Sequence, residues 1–98
     1  MEDKELLAKE VLNQAVEETI AFSAKTKAPI ADMIYSSDLS EGAPVTVYVL
    51  FEDVAQLQAM EEGNLKDEFM GTFLRSLSSR EYPFPERPQF HFEFSIQL

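Results

Sequence analysis

The run QFHFEFSIQL at positions 89–98 alternates without a break, with Phe90, Phe92, Phe94, Ile96 and Leu98 on one side and Gln89, His91, Glu93, Ser95 and Gln97 on the other. Successive side chains of a strand point to opposite faces, so this stretch reads as a strand with one apolar and one polar face. Five large apolar side chains on one face need a covering layer. The rest of the chain has to provide neighbouring strands and that layer.

The segment PVTVYVLFED repeats the alternation, with Val45, Val47, Val49 and Phe51 on one face and Thr46, Tyr48 and Leu50 on the other. Both of its faces are fairly apolar, which places it inside the sheet. A shorter strand, IADMIYS at 30–36, precedes it, and SSDLSEGAP at 36–44 between them gathers Ser, Asp, Gly and Pro as loops do. The simplest pairing of these two strands is an antiparallel hairpin.

Helical periodicity fills the remainder. Over residues 3–26, Leu7, Val11, Ala15 and Phe22 fall on one face, flanked by Ala8, Leu12, Val16 and Ile20, with Glu10, Gln14 and Glu17 opposite. Acidic residues crowd the first turn, and Lys25 and Lys27 stand at the expected end, the charge order the helix dipole favours. Glu5 and Lys9 are spaced as an i,i+4 pair, and Pro29 marks the exit. A second helix begins at Asp53, with Gln56 completing a capping-box spacing and Val54, Leu57 and Met60 forming its apolar face. Gly63 reads as its C′ residue and Asn64 as a fresh N-cap, with Asp67 at N3. Leu65, Phe69, Phe73 and Leu77 then recur at every fourth position, beside Met70 and Leu74, to about Ser79, and Gly71 reads as a place of close packing. SSREYPFPERP, with three prolines, is loop.

The expected order is α-β-β-α(kinked)-β. It defines an α+β two-layer sandwich, a single domain over 1–98 with helices on one face of a three-stranded mixed sheet. The last two strands are parallel if adjacent, because a helix joins them.

Composition narrows the function by exclusion. The chain has no cysteine, which removes disulfides, thiolate nucleophiles and the usual structural zinc sites. With eighteen acidic against eight basic residues the net charge is -10, and the basic residues are dispersed, so a phosphate backbone is an unfavourable ligand. Charges at nearly every turn of MEDKELLAKEVLNQAVEETIAF leave no apolar run suited to a signal peptide or a membrane span, and the expected location is the cytoplasm. Gly42, Gly63 and Gly71 are too scattered for a phosphate-binding loop, and no G-x-S-x-G elbow is present. No cofactor is expected. Ser36, Ser37, Ser40, Ser76, Ser78 and Ser79 read as turn and helix-end residues.

His91 and Glu93 form the one local imidazole–carboxylate pair, the weak catalytic candidates of the chain, but no pocket or metal-ligand spacing accompanies them. The aromatic FHFEF stretch has no basic residue beside it, so a core face is the better reading than a base-stacking platform. Pro85-Glu86-Arg87-Pro88 spells P-x-x-P and reads as a rigid connector. Two surfaces remain for a protein partner or for self-association as a homodimer. One is the uncovered sheet face with Tyr48, Leu50, His91 and Glu93, joined by either Met33 and Tyr35 or Ile34. The other is the acidic pair Glu61 and Glu62, at a helix end where the dipole disfavours them. The expectation is a non-catalytic interaction module. Its alternatives are an acidic, nucleic-acid-mimicking inhibitor of a basic protein and a small enzyme using His91 and Glu93.

Overall fold

The computed structural model describes residues 2–36, 44–83 and 90–97. Most of the expected 36–44 loop, the Pro85-Glu86-Arg87-Pro88 connector, Gln89 and Leu98 lie outside the described residues. The elements are α1 (Glu2–Ser23), β1 (Asp32–Tyr35), β2 (Val45–Phe51), α2 (Val54–Glu62), α3 (Leu65–Ser79) and β3 (Phe90–Ile96). The three strands form one mixed sheet in the order β1-β2-β3, antiparallel on the β1 side and parallel on the β3 side. The helices pack against it, which makes the α+β arrangement that the order of elements required.

The central strand shows why the sheet has one covered face. Val45, Val47, Val49 and Phe51 are buried under the helices, whereas Thr46, Tyr48 and Leu50 alternate out of the core. Against that row α1 contributes Ala8, Val11, Leu12 and Ala15, and α3 contributes Phe69, Phe73 and Leu77. Phe51, Phe69 and Phe73 are fully buried, each worth about 1.5–3 kcal/mol over exposure. The Phe69 ring meets Phe22 edge-on at 6.1 Å, and Phe73 meets Phe92 edge-on at 5.5 Å.

Several expectations are corrected at the ends of elements. Helix α1 stops at Ser23, not near Thr26, and no basic residue stands in its last turn. The cause is local hydroxyl chemistry. Ser23 Oγ donates to Ile20 O at 2.7 Å and accepts the Ile30 N–H at 2.9 Å, while Thr26 Oγ1 donates to Ser23 O and accepts from Ala28 N. These bonds offer the backbone an alternative to another helical turn. Leu7, placed on the apolar face by periodicity, is exposed, and the buried stripe instead continues through Thr19, whose hydroxyl donates to Ala15 O.

The kinked helix is two helices. Asp53 caps α2 as expected, accepting from Gln56 N at 3.0 Å, but the Gln56 carboxamide does not complete a box: its Oε1 is buried without a partner among the described residues. Gly63 has an ordinary φ of -87°, and it is Asn64, at φ 54°, that takes the left-handed turn. Asn64 therefore makes no side-chain cap; it supplies the left-handed conformation that asparagine tolerates better than most residues. Gly71 is not a close-packing position, since a Cβ there would meet only the end of the flexible Arg75 side chain.

Candidate functional site

Three strands bring their outward residues into register on the side of the sheet away from the helices. Ile34 of β1 pairs with Tyr48 of β2, and Tyr48 with Glu93 of β3. In the next rows Asp32, Leu50 and Ser95 align, as do Thr46 and His91. Ile34 is 49% exposed and Tyr48 40%, although both are large and apolar-bodied. Directly opposed cross-strand side chains lie close enough to form one surface, so these two make a continuous apolar ridge with half-buried Leu50 beside it.

The antiparallel register settles which β1 residues join this face. Ile34 does, whereas Met33 pairs with Val49 and is buried under the helices. Tyr35 also turns toward the helix layer, where its hydroxyl donates to Asn13 Oδ1 at 2.8 Å. Partial burial there pushes the Tyr35 phenol up from its ordinary value.

His91 and Glu93 stand at the rim of the ridge, on the edge strand. The ring Nε2 lies 2.9 Å from Glu93 Oε1, and the two side chains are 66% and 54% exposed. This is an open, solvated pair, able to hydrogen-bond a partner from the sheet side. A general base needs a substrate held against it with water excluded, and an open strand face provides neither. Among the described residues no three His, Cys, Asp or Glu side chains gather as metal ligands, and no helix is long and apolar enough to cross a membrane.

The sheet thus brings together Tyr48, Leu50, His91 and Glu93, four of the residues singled out from the sequence. Glu61 and Glu62 are not part of that face. They are exposed at the C-terminal end of α2, in the helix layer.

A cluster between helices escaped sequence reasoning. Ser76 stands in the last turn of α3, as the sequence placed it, but it is buried, and its hydroxyl donates to the Glu18 carboxylate of α1. Arg80 Nε donates to the same carboxylate at 3.2 Å. The Ser76 hydrogen bond first, then the Arg80 hydrogen bond, hold the Glu18 carboxyl below its ordinary value of 4.5 against a smaller desolvation effect, and the Arg80 charge adds least. A carboxylate stabilised in that way is a poor base for activating Ser76, so the trio ties α1 to α3 rather than forming a nucleophilic site. The signal was present in the sequence: Ser76 falls three residues after Phe73 on an apolar stripe, and a buried hydroxyl needs a partner. An adjacent groove of about 510 Å³ is lined by Glu10, Val11, Asn13, Gln14 and Arg80, and its Arg80 is already engaged by Glu18.

Fold and face together define a class, a two-layer α+β sandwich that leaves a part-apolar sheet surface exposed among its described residues. Comparison with protein families, with curated proteins and with solved structures finds no match.

Proposed function

We propose that this chain is a non-catalytic protein-interaction module that seats its partner on the open face of the sheet. The observation that carries the reading is the Ile34–Tyr48 ridge, two large side chains exposed side by side on rigid, hydrogen-bonded strands. Exposed apolar groups that adjoin one another on a regular element are costly to leave in water and are a mark of contact surfaces. Tyrosine combines a large apolar body with a hydroxyl and loses little conformational freedom, so it anchors interfaces well.

The surroundings of the ridge describe the partner. Asp32 and Glu93 flank it on either side, in a chain of net charge -10. The complementary surface is an apolar patch rimmed by Lys or Arg. Burial of the ridge supplies affinity, and the acidic rim supplies steering and register.

The test is capture of partners from native lysate by the tagged protein, comparing wild type, an Ile34→Glu/Tyr48→Ser face variant and a Glu61→Gln/Glu62→Gln variant at low and high salt. The expected partner survives high salt, is lost with the face variant and is retained by the Glu61/Glu62 variant. A partner held only at low salt and lost with the Glu61/Glu62 variant would show the acidic helix end to be the working surface instead. Retention by the face variant would also refute the proposal, as would a wild type that captures nothing at either salt.

A further inference from the structure

The outer edge of β3 is paired with no strand among the described residues, and the charges beside it there are few: Glu93 on the strand itself and Lys66, whose Nζ lies 5.3 Å from the centre of the Phe94 ring. The strand is seven residues long, continuous in register with β2, and contains no proline and no lysine. Strand β1, at the other edge, has only four residues. The helix-side residues of β3, Phe90, Phe92, Phe94 and Ile96, are only half-buried although Phe73 packs against two of them.

The backbone orientation of this edge follows from one bond. Gln97 N donates to Phe51 O at 2.7 Å, so the groups of Gln97 face β2. Alternation then turns the N–H and C=O of His91, Glu93 and Ser95 toward β2, and those of Phe90, Phe92, Phe94 and Ile96 outward. The Phe residues thus present donors and acceptors that no described strand pairs.

We propose that a second copy of this chain pairs with that edge, β3 antiparallel to β3, on a two-fold axis at Phe92. This arrangement makes Phe92 face Phe92 and Phe90 face Phe94 as hydrogen-bonded pairs through their outward groups. His91 then falls opposite Glu93, twice, at non-hydrogen-bonded positions, where Cα atoms lie about 4.5 Å apart and side chains approach most closely. Each His91 ring has a second nitrogen, and each Glu93 carboxylate a second oxygen, beyond the bond they already share. Four groups, imidazole and carboxylate by turns, alternate across the axis.

Other registers lose this complementarity. A one-residue slip turns an apolar face onto a polar one. Moving the axis to Glu93 overlaps all seven residues but sets Glu93 against Glu93, and moving it to His91 sets His91 against itself and shortens the overlap. A further shift to Phe94 opposes Glu93 with Ser95 and brings no imidazole against a carboxylate. On the helix side the Phe92-centred register covers the exposed parts of three Phe rings with their counterparts, contacts of the aromatic cross-strand kind. The product is a continuous six-stranded sheet with two Ile34–Tyr48 ridges on one face.

This inference goes beyond the proposed docking surface and is tested on purified protein without any partner. Sedimentation across a concentration series compares wild type, His91→Glu, the swap His91→Glu/Glu93→His, and Ile34→Glu. Both β3 positions are solvent-exposed, so circular dichroism should show all variants folded. Wild type is expected to form a concentration-dependent dimer that His91→Glu weakens by about tenfold or more, as two attractive pairs become repulsive. The swap restores the dimer, and Ile34→Glu leaves it unchanged. A wild type monomeric up to its solubility limit, a dimer indifferent to His91→Glu, or a swap that fails to restore association would overturn the proposal. A dimer dissolved by Ile34→Glu and not by His91→Glu would place self-association on the sheet face and refute the edge alone.

Discussion

At Ser23 one hydroxyl closes a helix and fixes the start of the next segment. It donates to Ile20 O and receives the buried Ile30 N–H, and nothing in a helical-wheel reading marks it. Removing it by Ser23→Ala leaves the Ile30 donor unsatisfied, for an expected loss of about 1–3 kcal/mol in denaturant-induced unfolding. A variant with unchanged midpoint and slope would show that the hydroxyl contributes little. Glu18 makes a prediction in pH. Its carboxyl is held below the ordinary value of 4.5 in the folded chain, so its stabilising contribution is complete above that value. It is lost as pH falls from there through the folded-state value. Glu18→Gln should flatten that part of the acid limb of stability against pH, by a small amount because the side chain is nearly half exposed. An acid limb identical to wild type would contradict the assignment.

Helix ends show where local pattern is weakest as a guide. The body of α3 was legible because Phe69, Phe73 and Leu77 recur at a single spacing, and all three are buried. Its end was not, because no glycine announces it. Tyr82 N donates to Leu77 O and Glu81 N to Ser78 O, the paired bonds of a Schellman motif, with Glu81 in the left-handed region at φ 57°. Tyr82 joins the core beside Leu77, its ring 5.5 Å from Phe90, and burial pushes its phenol up to about 12. Glu81→Gly should therefore stabilise the chain by about 1 kcal/mol, since glycine takes that conformation without the Cβ clash. A lower thermal midpoint would contradict this account of the turn. The same physics explains Asn64: a residue read from sequence as a cap by its side chain serves through its backbone.

Across the whole molecule, the order of elements and the alternation of β2 and β3 carried most of the architecture. Strand order was not legible, because three strands of this connectivity can be arranged in more than one way. Registry decided the site. Sequence alone left open whether Ile34 or Met33 and Tyr35 would join Tyr48, since a one-residue slip exchanges the two faces. The observed pairing selects Ile34 and thereby makes the ridge continuous. Glu61 and Glu62, read from the sequence as a separate surface at a helix end, stand exposed at the C-terminal end of α2. The most direct test of the central claim is hydroxyl-radical footprinting of the three tyrosines, free and in complex with the captured partner. Tyr48 should lose reactivity on binding while Tyr35 and Tyr82, which face the helix layer, stay as they were. Equal reactivity of Tyr48 in both states would show that the partner does not sit on the open sheet face.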